Sequence, residues 1–130
     1  MINGISWRLK VYPNGNANYR GTYLSVFIEM CKGWPGVVGM YEYKIELVNR
    51  KDRTKKTCRE HMSEFEATIS WGYNRFIKLD ALEKEHYLDP EEDLLEFRYY
   101  IYPSSEFQLI TDLNRYIESL ETTNREVGLE

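Results

Sequence analysis

The side chains best equipped for chemistry lie in one run, Trp71-Gly72-Tyr73-Asn74-Arg75-Phe76. That chemistry is recognition rather than bond making. A glycine between two large rings lets the backbone bulge, because no Cβ obstructs it. Tryptophan and tyrosine held beside such a kink can be both rigid and partly exposed, which suits a docking surface. The competing reading is an aromatic corner that plugs the end of a β-sandwich core. A metal site would have to start from Cys58 and His61, with Cys31 and His86 to complete it, and no ligand spacing recommends that set. Nucleophile elbow, phosphate loop and paired-carboxylate motifs are absent, so no catalytic residue, cofactor or metal is expected. Arg50, Lys51, Arg53, Lys55, Lys56 and Arg59 fall within ten residues. They could receive an acidic peptide or phosphate, but in an acidic chain a solvated hairpin end is the simpler reading.

The whole chain narrows the field further. Its 130 residues fit one domain with a real core. A net charge of −4 argues against general affinity for nucleic acid or anionic membrane. No apolar run approaches the roughly 20 residues of a membrane span, and Met1-Ile2-Asn3-Gly4 does not open a signal peptide. Two reduced thiols, Cys31 and Cys58, in a cytoplasmic protein are therefore expected. The eleven tyrosines fit tyrosine-rich β structure.

Alternation supplies the elements that position these residues. Ile5, Trp7, Leu9 and Val11 face one way on a strand over residues 5–12, and Pro13-Asn14-Gly15-Asn16 turns the chain. A second strand over 22–31 has Leu24, Val26, Ile28 and Met30 on its core face, leaving Tyr23 and Phe27 on the other. A third over 41–49 puts Tyr43 with Ile45 and Leu47. Further strands follow over 57–67, through the aromatic run to Leu79, and over 94–102, where Leu95, Phe97, Tyr99 and Ile101 point inward. One or two helical turns are expected over 81–86. The period then changes: Ser105-Glu106-Phe107-Gln108 fits a capping box, and Ile110, Leu113, Ile117 and Leu120 recur at helical spacing. The expected organisation is a sandwich over 1–103, a helix over 104–122 and a disordered tail over 123–130. The helix stripe has the spacing of coiled-coil a and d positions; packing on the sandwich and self-association into a homo-oligomer are its two readings, the first preferred.

Four motifs occur in order: Trp7-Arg8-Leu9-Lys10-Val11-Tyr12-Pro13-Asn14-Gly15, Tyr23-Leu24-Ser25-Val26-Phe27, Trp71-Gly72-Tyr73-Asn74-Arg75-Phe76 and Tyr87-Leu88. The series resembles the MATH (meprin and TRAF homology) domain, over about residues 5–102. Its details are most similar to the MATH domain carried by a TRIM-family ubiquitin ligase. The resemblance implies a mainly β fold, an antiparallel sandwich of seven or eight strands, here with the first strand missing, followed by a C-terminal helix. It implies a module that holds an extended linear peptide of another protein in a groove on one sheet, as a substrate-recognition or adaptor domain of a ubiquitin pathway. By motif, Trp71 and Tyr73 line that groove, joined by Phe27 and by Tyr43. Periodicity supports Phe27, which faces away from the core residues of its strand, and leaves Tyr43 shared between core and groove. Ser70 stands where better-known peptide binders often carry an acid, and Ser63 where the speckle-type POZ adaptors carry an aromatic. A roomier, less acidic groove is therefore expected.

Overall fold

The computed structural model describes residues 1–128. Six strands are present among them: β1 (Ser6–Tyr12), β2 (Tyr23–Lys32), β3 (Gly39–Val48), β4 (Lys56–Phe65), β5 (Ser70–Lys78) and β6 (Glu96–Pro103). They correspond to the six strands expected from the sequence; the seventh or eighth implied by the resemblance is not found among the described residues. A short helix, α1 (Leu79–Lys84), follows β5, and a long one, α2 (Glu106–Gly128), follows β6.

The strands form two antiparallel three-stranded sheets, ordered β1-β2-β5 and β4-β3-β6. Their inner faces meet in one core. Leu24, Val26 and Ile28 of β2 and Ile45 and Leu47 of β3 are fully buried there with Phe65 and Phe76. β2 and β3 are the central strands of the two sheets and carry most of the fully buried residues. Trp7 packs edge-on to Tyr41 and Phe65, with ring centroids 5.0 and 5.1 Å away. Tyr99 departs from expectation. It shares the inner face with Ile45, its cross-strand partner, yet is 40% exposed, because β6 is an edge strand and the opposing sheet does not cover it there.

The helix α2 holds the main surprise. Its N-terminus follows the capping pattern, with the Gln108 amide donating to Ser105 Oγ at 3.1 Å. It then runs to Gly128, beyond the end expected at 122, so the segment expected to be disordered from 123 is helical as far as Gly128; Leu129 and Glu130 lie outside the described residues. The Thr122 and Thr123 hydroxyls donate to carbonyls four residues back along this helix, at 3.0 Å each. The apolar stripe does not pack on the sandwich. Asp112 is the buried residue of the helix, whereas Ile110, Leu113, Ile117 and Leu120 are all exposed. What α2 turns to the sandwich instead is a charge-assisted polar contact: Tyr41 Oη donates to Asp112 Oδ2 at 2.5 Å, Gln108 Nε2 donates to Asp112 Oδ1 at 2.9 Å, and the Met40 amide donates to Gln108 Oε1 at 3.0 Å. Burial and the bond to the Asp112 carboxylate push the Tyr41 phenol well above its usual range.

Half of the basic cluster is paired with carboxylates of the fold. Arg50 pairs with Glu92 and Glu96, Arg53 makes a two-pronged contact with Glu96, and Lys56 reaches Glu46 at 2.9 Å. The Arg59 guanidinium sits over the Phe76 ring and donates to the Cys58 and Phe76 carbonyls. Solvated hairpin end is the reading these contacts favour.

Candidate functional site

The aromatic run forms most of β5, and two backbone features there shape the surface. First, β5 bulges. Val26 faces Tyr73 and Leu24 faces Ile77, so two steps along β2 match four along β5. The buried Ser25 hydroxyl fastens the bulge, donating to the Asn74 carbonyl at 2.7 Å while accepting the Asn16 amide at 3.0 Å. Second, Gly72 lies against β2 so closely that a Cβ would stand 2.2 Å from the Val26 carbonyl oxygen and 2.5 Å from Phe27 Cα. Glycine is required by this close approach to backbone.

These features direct the rings. Trp71 and Tyr73 lie opposite Ile28 and Val26 and so share the inner side of the sheet. Both reach over to β4, the edge of the other sheet. Trp71 Nε1 donates to the Glu64 carbonyl at 2.6 Å, and Tyr73 Oη donates to the Glu60 carbonyl at 3.1 Å. The two rungs tie the edges of the sheets into a seam. Tyr73 also packs on Tyr43 and Phe76, each 6.5 Å away between centroids. Burial first, then the neighbouring Tyr43, pushes the Tyr73 phenol up to about 12. Trp71 remains 45% exposed although its N–H is satisfied, leaving its ring as an apolar wall.

The sequence-derived residues divide into three groups. Tyr43 and Ser63 are buried beneath the seam, and the Tyr43 phenol is raised chiefly by burial, against hydrogen bonding with Ser63 and Tyr73. Tyr43 is thus a core residue with its ring against Tyr73. Trp71 and Tyr73 form the seam itself. Phe27 and Ser70 lie on the outer face of the same sheet: Phe27 opposes Gly72, and Ser70 opposes Glu29. The Phe27 ring packs edge-on to Tyr12 at 5.8 Å. Phe27 therefore does not touch Trp71 or Tyr73; the backbone of β5 runs between them.

What unites all six is the edge of β5. That strand terminates its sheet, and no further strand pairs with its outer side among the described residues. A strand laid there would send alternate side chains toward the seam and toward the Phe27–Ser70 face. Glu29 is the residue that sequence reasoning missed. It sits across from Ser70 and is ion-paired with Arg8, so a carboxylate is present on that face although position 70 lacks one. Its place on the polar face of β2 was readable; its register against Ser70 was not. Among the described residues no cluster of three or more histidine, cysteine, aspartate or glutamate side chains could hold a metal ion, and both cysteines are free.

The comparisons with known proteins agree with this architecture. The family model of the MATH domain matches residues 1–98. The human E3 ubiquitin-protein ligase TRIM37 is 45% identical over 122 residues, covering 92% of this chain and 13% of that protein, and its mouse counterpart is 44% identical over the same length. The BTB/POZ and MATH domain-containing protein 6 of Arabidopsis thaliana is 28% identical over 98 residues, covering 67% of this chain and 23% of its own. This chain thus spans a small part of the curated relatives it matches. Among solved structures, TRAF5 of Notothenia coriiceps superposes with a TM-score of 0.61 at 20% identity, covering 78% of this chain and 57% of that one, a likeness of fold alone.

Proposed function

We propose, since this chain belongs to the MATH domain family, a protein–protein interaction fold, that it binds an extended linear peptide of another protein along the edge of β5. The observation that carries this reading is the end position of β5 in its sheet, combined with the half-exposed Trp71 beside it. Backbone groups of Ser70, Gly72 and their neighbours would give a bound segment direction and register. Side chains pointing to the seam would pack on Trp71 and Tyr73 over Tyr43 and Ser63. Those pointing outward would meet Phe27 and the Ser70 hydroxyl, which can donate to or accept from a polar peptide group. No residue is assigned a catalytic role. Similarity to TRIM37 supports a substrate-recognition or adaptor role in a ubiquitin pathway, with catalysis supplied by other parts of such a ligase; a cytoplasmic setting belongs to the same proposal.

A phage-display or peptide-array selection against the purified chain, run beside Trp71→Ala, tests the reading. We expect a consensus whose affinity falls by about 30-fold or more in the variant, the range of a central aromatic anchor. The fold should survive, because the replaced ring is half exposed and loses one hydrogen bond worth about 1 kcal/mol. Equal binding by the folded variant, or no enrichment by the folded wild type, would overturn the proposal.

A further inference from the structure

Helix α2 is amphipathic in the reverse sense to a helix that caps a core. The residues it turns to the sandwich are mainly polar: Gln108, Asp112, Arg115 and Ser119 are all buried or half-buried, with the half-buried Tyr116 ring at their edge against Gly4. The residues turned away are apolar: Phe107 is 81% exposed, and Leu109, Ile110, Leu113, Ile117 and Leu120 are 36–56% exposed. Together these six side chains present on the order of 500 Å² of apolar surface, as large as the whole largest patch of an ordinary monomer.

The order of residues in the stripe identifies its occupant. With Ile110 at heptad position a, Leu113 is d, Ile117 is a, Leu120 is d and Asn124 is the next a. Among parallel coiled coils, isoleucine at a with leucine at d favours two strands, and a single asparagine at a fixes register, since two copies of it can face one another only across a parallel seam. The charged Asp112, Arg115 and Glu118 fall off the a and d positions. Across a parallel seam, the flanking g and e positions would set Leu109 against Asn114 and Tyr116 against Glu121, so no like charges oppose. We propose that a second copy of this chain covers the stripe, through a parallel two-stranded coiled coil of α2. Two such patches bury about 1,000 Å² in total, the lower end for a specific interface, so the dimer is a weak one.

Sedimentation velocity from about 1 to 500 µM checks this on the chain as it stands. We expect a monomer–dimer equilibrium, and Leu113→Asp combined with Ile117→Asp should weaken it about 100-fold or more, because charge would enter the seam. Both side chains are exposed in the monomer, so circular dichroism should show the sandwich unchanged. Asn124→Ile should tighten association by about tenfold and admit species larger than a dimer. Ile110→Cys, in a background with Cys31 and Cys58 replaced by serine, should form an intermolecular disulfide on mild oxidation, since equal positions meet only in the parallel arrangement this far from the seam's centre. A monomer at 500 µM overturns the proposal, as does an oligomer that survives the double aspartate variant. A dimer in which Ile110→Cys fails to cross-link overturns the parallel arrangement.

Discussion

Tyr73 joins the seam by both its ring and its hydroxyl, and the hydroxyl makes a prediction about pH. Its folded phenol titrates at about 12, above the ordinary tyrosine value near 10, because burial disfavours the charged form. A raised folded value means that the unfolded chain loses this proton first as pH rises. The stabilising contribution is therefore complete below about pH 10 and drains away between about 10 and 12. In urea titrations, the wild-type midpoint should fall through that window. Tyr73→Phe should be less stable at pH 8 by about 0.5–1.5 kcal/mol, for the lost bond to the Glu60 carbonyl, and should fall less steeply above pH 10. Some slope should remain, because the Tyr43 phenol is also raised by burial. Identical alkaline slopes in the two proteins would show that Tyr73 ionises as freely in the fold as outside it. At this scale the sequence was a good guide to residue type and a poor one to residue partners. Trp71 and Tyr73 stood out by composition. That Tyr43 lies beneath Tyr73, and that Phe27 lies across the β5 backbone from both, depends on a bulge held by Ser25, and neither Ser25 nor Gly72 announces which residue it will face.

The elements themselves were legible where one face must be dry and the other wet. Strands β1, β2, β3 and β6 and helix α2 follow from period, because the sheet period of 2 and the helix period of 3.6 leave different marks on the same apolar count; β4 reads less regularly, and α1 begins two residues before the expected 81–86. Orientation was not legible. An apolar stripe on a helix beside a β-sandwich ordinarily belongs underneath, yet α2 meets the sandwich through the Tyr41–Asp112–Gln108 network on its opposite face. No local pattern reveals that network, since its members are separated by up to 71 residues. It follows that the docking of α2 rests on Asp112. Asp112→Ala strands the buried Tyr41 hydroxyl and the Gln108 amide, at a cost of about 2 kcal/mol, or a Tm lower by roughly 6–12 °C. Amide exchange in the first half of α2 should quicken at the same time. The exposed Ile117→Asp, by contrast, should leave the Tm of the monomer nearly unchanged. If Asp112→Ala has no effect on exchange in α2, the network does not anchor the helix.

At the scale of the molecule the edge of β5 and the stripe of α2 are separate surfaces, and their combination has a consequence that neither has alone. Each sandwich is rooted to the first half of its own α2 through Gln108 and Asp112, so a parallel helix pair would carry two β5 edges related by a two-fold axis. A weak dimer suits such an arrangement, because a ligand with two copies of the recognised segment would hold both subunits together and be held by both. Once one segment is bound, the second meets its site at an effective concentration set by the linker, and avidity can exceed single-segment affinity by about 10²- to 10⁴-fold. A tandem peptide built from the selected consensus, with flexible linkers of increasing length, should therefore bind the wild type far more tightly than a single segment, with an optimum length. With Leu113→Asp and Ile117→Asp the single-segment affinity should be unchanged and the tandem advantage should vanish. Calorimetry on the four combinations separates the contributions. Loss of single-segment binding in the double variant would mean that the helix contributes to the groove itself. A tandem advantage that persists in a demonstrably monomeric variant would mean that one chain engages both segments, and the dimer would then have no part in recognition.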